Sequence, residues 1–431
     1  MTALPISALR HVPAKLRSLS GFEHLFWAVD KVNGFNFAIA VSFRGSVAPA
    51  RWRAAFAAVQ KRHPFLNVAV NEDDPLAPFF ASGAGLPISL AFQRRTSSID
   101  WQRVMESEIA QLFDLSTAPL LRAVVLEDDA ICDLVITAHH AVIDGIGVVA
   151  VIRDLLAALA GHALAALPVP PSAEHRAAQI RAANQWSVPE DAAEPAPWQA
   201  DEAQPRNRTF VSRNRKGKCA ITALRLSPDE TARLLGYARR ERTTIGAVLA
   251  AAAAEALRDL SPELKESDLR LTTALDARPY LSNQDDFVLS VISPRAIVSY
   301  PVANLFATAR AIKSQIAPYQ CFDAIEATFA RVGAVLAQKF DAGTIVNLLS
   351  QGFGCDLLIS NLKTVEFPAL TGGLVAEAVW GPSVLVGIEG EHTIGSATFG
   401  GALHLVYSSF TPLPGFLEAV HEKLANACSA S

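Results

Sequence analysis

Thr137-Ala138-His139-His140-Ala141-Val142-Ile143-Asp144-Gly145 is the stretch on which the reading of this chain turns. It follows an apolar run, Cys132 to Thr137, that reads as a strand. A helical pattern then begins near Gly145 and continues to about Ala160. Polar groups at a strand end are held by a rigid scaffold yet stay open to a ligand. With 10 His and 24 Gly in 431 residues, composition alone rarely gives two adjacent histidines followed at this spacing by Asp-Gly. One imidazole supplies a base whose ordinary pKa is about 6.5. Asp144 is placed to turn back onto the local backbone, and Gly145 to permit a close turn into the helix. A single positioned histidine suffices for acyl transfer from an already activated thioester. Two other readings compete. Metal ligation lacks a third His or Cys at zinc-like spacing, and a purely structural turn would leave the histidines without a task. Neither the serine-hydrolase G-x-S-x-G nor the phosphate-binding G-x-x-x-x-G-K-[ST] occurs.

Outward from this stretch, strand and helix alternate. Asn36 to Phe43 and Leu121 to Leu126 read as strands. Ala48 to Arg62 reads as an amphipathic helix carrying Trp52, Phe56 and Val59, and a further helix follows Ser97 or Ser98. Between His162 and Arg215 seven prolines punctuate a polar stretch, which reads as a crossover with one short helix, Ala173 to Gln185. Beyond it come a strand (Ala220 to Leu226), helices near 228–241 and 244–258, a strand at 269–275 and a helix near 302–316. Ser227-Pro228-Asp229-Glu230 is a helix start, with Ser as cap, Pro in the first turn and Glu returning a bond to the cap. The organisation is an N-terminal lobe over residues 1–165, a Pro-rich crossover over 166–215 and a C-terminal lobe over 216–431.

Composition bounds the function. Hydrophobic residues make up 51% and charged residues 19%, which rules out a disordered chain. The 38 Lys+Arg against 42 Asp+Glu leave a formal charge of -4, with no basic stripe to attract nucleic acid. Mean hydropathy is +0.24. The most apolar run, Ile245 to Leu257, is broken at Glu255 and is Ala-rich, so it reads as a buried helix rather than a membrane span. The first twenty residues lack the apolar core of a signal peptide. The five cysteines (Cys132, Cys219, Cys321, Cys355 and Cys428) form no C-x-x-C and suit a reducing, cytoplasmic setting.

The His139-His140-x-x-x-Asp144-Gly145 pattern resembles the signature of the condensation-domain and chloramphenicol-acetyltransferase-like acyltransferase superfamily. Other stretches resemble that family in order: Leu19-Ser20-Gly21-Phe22-Glu23-His24-Leu25-Phe26 its opening segment, and Lys61-Arg62-His63-Pro64-Phe65-Leu66 the end of its first helix. Ala274-Leu275-Asp276-Ala277-Arg278-Pro279-Tyr280 resembles the segment that supplies an arginine to the aspartate. Ile359-Ser360-Asn361-Leu362 resembles the segment beside the channel. The sequence departs from the family in two places. The D-F-G-W-G of the plant-type enzymes is reduced to Thr398-Phe399-Gly400-Gly401, and Lys363 stands where a glycine usually follows the leucine.

The resemblance implies an α/β fold of two chloramphenicol-acetyltransferase-like lobes in a V, with a tunnel between them. It implies His140 as general base facing that tunnel, Asp144 turned away and paired with Arg278, and His139 as a structural residue. Ser360, Asn361 and Trp380 are expected along the tunnel, with Ser360 a candidate oxyanion donor. The donor would be an acyl thioester of coenzyme A or of the phosphopantetheine on an acyl or peptidyl carrier protein. The acceptor would be a small alcohol or amine, with no metal, nucleotide or other cofactor and no membrane insertion. Arg310 and Lys313 could meet a phosphopantetheine phosphate, although a solvated helix face explains them as well. The rival from another class is a catalytically silent module that binds carrier proteins.

Overall fold

Alternation along Asn36–Arg44 shows how the first lobe is built. Phe37, Ile39, Val41 and Phe43 enter the large core, whereas Ala38 and Ala40 face the other way into a smaller cluster with Trp101, Met105 and Ile109. A sheet buried on both faces needs small residues on the side where the second lobe comes close. The computed structural model describes residues 14–83, 85–186, 219–281, 287–301, 304–368 and 373–429.

Two sheets form the two lobes of a mixed α/β fold. In the first, five strands lie in the order Val375–Val384, Asn36–Arg44, Ile131–His139, Leu121–Glu127 and Ser89–Arg94; only the last pair is parallel. In the second, six strands run Arg295–Val298, Leu269–Thr273, Leu357–Thr364, His392–Phe399, Ala402–Ser409 and Ala220–Leu226. Helices Pro49–Arg62 and Gly145–Leu159 pack together in the first lobe. In the second, the Ala-rich helix Ile245–Leu260 lies buried between Leu305–Ile316 and Phe416–Ser429. Ala250 to Ala254 are each at most 1% exposed, so the neighbouring helices approach closely over methyl groups.

The elements read from the sequence form with small shifts at their ends, such as Ile131–His139 for the strand before the motif and Ala173–Ala183 for the crossover helix. The helix Gly21–Val32 carries no such expectation, nor do Phe322–Leu336, Ala342–Phe353 and Phe416–Ser429. The lobe boundaries need correction. Strand Val375–Val384, from the second half of the chain, hydrogen-bonds to Asn36–Arg44 and completes the first lobe's sheet. Ile325, Phe329, Val332, Ile345 and Val346 likewise join the first lobe's core. Covering the first lobe's edge strand and burying the apolar face of Gly21–Val32 both require chain from beyond residue 216. Residues 187–215 of the expected crossover lie outside the described residues.

The seam between the lobes is tight. A Cβ at Gly395 would sit 1.9 Å from the Pro382 carbonyl oxygen, so only glycine fits where strand His392–Phe399 crosses strand Val375–Val384. Ser383 and Ser408 share a hydroxyl hydrogen bond of 2.6 Å, and the Ile221 amide donates to Glu106 Oε1 at 2.7 Å.

Candidate active site

The motif sits where strand Ile131–His139 ends and helix Gly145–Leu159 begins. His139 is fully buried: Nδ1 accepts the Ala141 amide at 3.2 Å, and Nε2 lies 3.2 Å from Asp30 Oδ1 on helix Gly21–Val32. It packs the loop against that helix and lines neither of the two cavities at His140. Asp144 caps the following helix through the Gly147 amide at 2.9 Å. Its two oxygens also take Arg278 in a fork, Nη1 to Oδ2 and Nη2 to Oδ1, each 2.9 Å, while the Ser290 amide donates to Oδ2 at 2.8 Å. Burial alone would raise the pKa of this carboxyl. Arg278 and the two amides overcome that effect and hold it below the usual carboxylate range. Arg278 is fixed in turn by the Val288 carbonyl at 2.7 Å and by Asp276 Oδ1 at 3.3 Å.

His140 points elsewhere. Its ring is partly exposed and lies among Phe26, Phe35 and Phe37, with centroids 5.1, 5.1 and 4.6 Å away. Its amide donates to the Phe35 carbonyl at 3.0 Å. Burial pushes its pKa down to about 4, although Asp144 and the backbone of His140 and Ile143 pull the other way. The imidazole is therefore neutral at neutral pH, and Nδ1 is enclosed.

Two cavities meet at this ring, sharing His140, Ala274, Val291, Ser360 and Val384 in their walls. One has the more polar set of lining residues, adding Asp276, Ser290 and Asn361, and spans about 460 Å³ with its open mouth. The other is apolar, adding Leu25, Phe26, Val29, Phe35 and Leu358, and spans about 750 Å³ counted the same way. Among the described residues, no three His, Cys, Asp or Glu side chains gather as metal ligands would.

A sequence model described as "Condensation domain" matches residues 27–279, more than half of the chain and the whole of this site's motif. The chain belongs to the condensation-domain family. Solved structures share the fold over nearly its full length. Polyketide synthase associated protein 5 from Mycobacterium tuberculosis aligns with a TM-score of 0.64 at 18% identity, covering 97% of this chain and 98% of that one. The first condensation domain of the CDA synthetase gives 0.67 at 14%, covering 96% and 95%. Trichothecene 15-O-acetyltransferase TRI3 from Fusarium sporotrichioides gives 0.65 at 14%, covering 95% and 94%. No curated protein matches the sequence.

Within this condensation-domain frame the expected residues separate. His140, Asp144, Gly145, Arg278, Ser360 and Asn361 all line the polar cavity, and Ser360 lines both. Trp380 does not belong with them. It stacks on Trp101 at 5.1 Å, meets His404 edge-on at 4.8 Å and donates from Nε1 to Ser42 Oγ at 3.3 Å, in the packed cluster at the seam. Paired with Ala40, it faces the seam and not the two cavities at His140, contrary to the expectation that it lines a tunnel. Gly145 needs a different reason from the one its sequence suggests. It has no positive φ, and a Cβ there would lie 2.9 Å from Leu362 Cδ2. The glycine admits a neighbour from the second lobe's sheet. Arg310 pairs with Glu241, and Lys313 donates to the Arg242 carbonyl at 2.9 Å; neither lines a cavity at His140. Phe35, Phe37, Asp276 and Ser290 carry no expectation from the sequence as site residues. Asp276 sits inside the quoted Asp276-Ala277-Arg278 segment, whereas the phenylalanines read simply as core.

Proposed function

We propose that this protein is an acyltransferase that moves an acyl group from a pantetheine thioester, on a carrier protein or coenzyme A, to an alcohol or amine. The observation that supports the reading is the position of a neutral histidine where two cavities meet, one of them bordered by Asp276, Ser290, Ser360 and Asn361. In this scheme the His140 imidazole accepts the acceptor's O–H or N–H proton as that atom attacks the thioester carbonyl. The tetrahedral intermediate then collapses: the C–S bond breaks and the thiolate takes the proton back from His140, leaving an ester or amide and a free thiol. A pKa of about 4 keeps the base unprotonated in the resting state. Asp144 and Arg278 hold the loop and take no proton. The Ser360 hydroxyl, in the wall of both cavities, is the oxyanion donor in this scheme. Donor and acceptor approach His140 from different cavities, which makes the site a tunnel with two mouths.

The test follows thiol release and product mass when purified protein meets coenzyme A and carrier-protein thioesters with alcohol and amine acceptors. His140→Ala should lower turnover about 10²- to 10⁴-fold while the protein stays folded. Absence of turnover by the folded wild type with every donor would favour the silent carrier-binding module. Equal turnover by the folded variant would remove His140 from the chemistry.

A further inference from the structure

On the second lobe, helices Pro228–Arg240 and Phe416–Ser429 leave a cavity between them, closed below by the end of strand Ala220–Leu226. Leu226, Leu234 and Leu424 join its inner wall to the second lobe's core. Glu230, Arg233, His421 and Cys428 form its polar side. The cavity is separate from the site at His140. Along strand Leu357–Thr364, Leu357 and Ile359 face the core beneath these helices, whereas Leu358 and Ser360 line the cavities at His140. The six-stranded sheet therefore stands between the two places, and they share no lining residue.

A helix cap sets the charge of this cavity. Glu230 stands one turn before Arg233, a spacing at which opposite charges on a helix are neighbours. Here the carboxylate is turned elsewhere. Its Oε2 accepts the Ser227 hydroxyl at 2.6 Å and the Ser227 amide at 2.8 Å, and Oε1 accepts His421 Nε2 at 3.0 Å. These donors, Ser227 first, bring its pKa down to about 2, so it is ionised and both oxygens are taken. Arg233 is exposed and, among the described residues, has no acidic partner within ion-pair distance, Asp229 included. Arg240, two turns along the same helix, stacks over the Tyr237 ring at 4.0 Å and makes no bond to a carboxylate. Cys428 lies within the field of both: burial pushes its thiol pKa up, and Arg233 and Arg240 pull it back. The cavity thus has one wall of leucines and a rim of uncompensated positive charge.

We propose that this cavity is a second binding site, for a small organic monoanion whose carboxylate meets Arg233 and whose short apolar group lies on Leu226, Leu234 and Leu424. A guanidinium takes a carboxylate through two parallel N–H donors, and Arg233 has them free of any acid. The ionised Glu230 in the wall disfavours a dianion, and the two arginines disfavour a cation. An inorganic anion would satisfy the arginine and leave the leucine wall in water, so an apolar group adds affinity. The site stands apart from the acyltransferase reading, since none of its residues serves His140.

Cys428 lines the cavity and reports on its occupant, while the exposed Cys321 serves as a control in the same chain. The experiment follows alkylation of both thiols by iodoacetamide, read by peptide mass, in the full-length protein with hexanoate, acetate or the uncharged hexanamide. Hexanoate should slow alkylation of Cys428 in a saturable way, with half-protection at about 1 mM, and leave Cys321 unchanged. Acetate and hexanamide should each need about tenfold more, because one lacks the apolar group and the other the charge. Arg233→Gln, a change on the surface, should raise the half-protecting hexanoate concentration about tenfold, each protein being compared with its own rate without ligand. Calorimetry with hexanoate on the same two proteins repeats the comparison without relying on the thiol. Absence of both protection and heat would overturn the site. So would protection that Arg233→Gln leaves unchanged, or that hexanamide gives equally. Acetate as effective as hexanoate would reduce the site to a surface charge and overturn the organic ligand.

Discussion

Arg278 shows how much one residue decides here. It lies 134 positions from Asp144, is 3% exposed, and spends its guanidinium on Asp144, Asp276 and the Val288 carbonyl. Arg278→Ala would leave the Asp144 carboxylate buried with two amides and no cation, a change expected to cost about 3–5 kcal/mol. Arg278→Lys should recover only part of this, because an ammonium cannot make the two parallel bonds. Urea unfolding of the three proteins at neutral pH checks the order wild type, lysine variant, alanine variant; a lysine variant equal to wild type would show that the fork contributes nothing beyond its charge. The pairing was legible in the sequence only through the family resemblance. Nothing in the spacing of Asp144 and Arg278 brings them together, since contact across that separation is a property of the fold. The same holds for His63 and Arg62, whose side chains both reach Asp154 Oδ2, at 2.6 and 2.8 Å, and so clamp helix Pro49–Arg62 to helix Gly145–Leu159.

Among the elements, helix Gly145–Leu159 is the one whose placement governs the site. Its capping aspartate anchors the loop, and its first residue lies against Leu362 of strand Leu357–Thr364. Gly145→Ala would force a methyl to within 2.9 Å of Leu362 Cδ2. The leucine end can turn aside, so the cost is expected at the low end of overpacking, about 1 kcal/mol, and Leu362→Ala in the same protein should relieve most of it. A double mutant that is less stable than the sum of the two single changes would refute the contact as the cause. Thermal unfolding of the four proteins reads this directly. The flanking strand and helix were legible because their hydrophobic periods are clean and the motif separates them. Helix Gly21–Val32 was not, because Phe22, Leu25, Phe26 and Val29 are mixed with buried Glu23 and Asp30. Those acids are acceptable in a core only through partners elsewhere: Arg17 forks onto Glu23 at 2.6 Å, and Asp30 lies by His139.

At the scale of the whole molecule, the partly exposed His140 and the buried His404 give both lobes the same acid sensitivity. His140 in the site and His404 at the seam each have a pKa lowered to about 4 from the ordinary 6.5, the first by burial, the second by burial and then Arg225. Between those values the unfolded chain takes up protons that the folded protein refuses. Each histidine's contribution is therefore complete above pH 6.5 and is lost as pH falls toward 4, up to about 3 kcal/mol for the buried His404 and less for the partly exposed, solvent-screened His140. The urea midpoint should drop steeply between pH 7 and pH 4.5, and His404→Leu should flatten that drop; an unchanged slope in the folded variant would exclude His404 as a source. What the sequence by itself determined was local: the alternation of strand and helix, the buried Ala-rich helix, the histidine at a strand end, and through resemblance the family. Tertiary structure alone decided that strand Val375–Val384 closes the first lobe's sheet, that Trp380 packs at the seam, that Gly145 serves a neighbour rather than a turn, and that two cavities meet at His140. Period and capping are written within a few residues of each other, so a sequence carries them openly. Edge closure, close approach and cavity walls join residues hundreds of positions apart, and their energies exist only once the chain has brought those surfaces together.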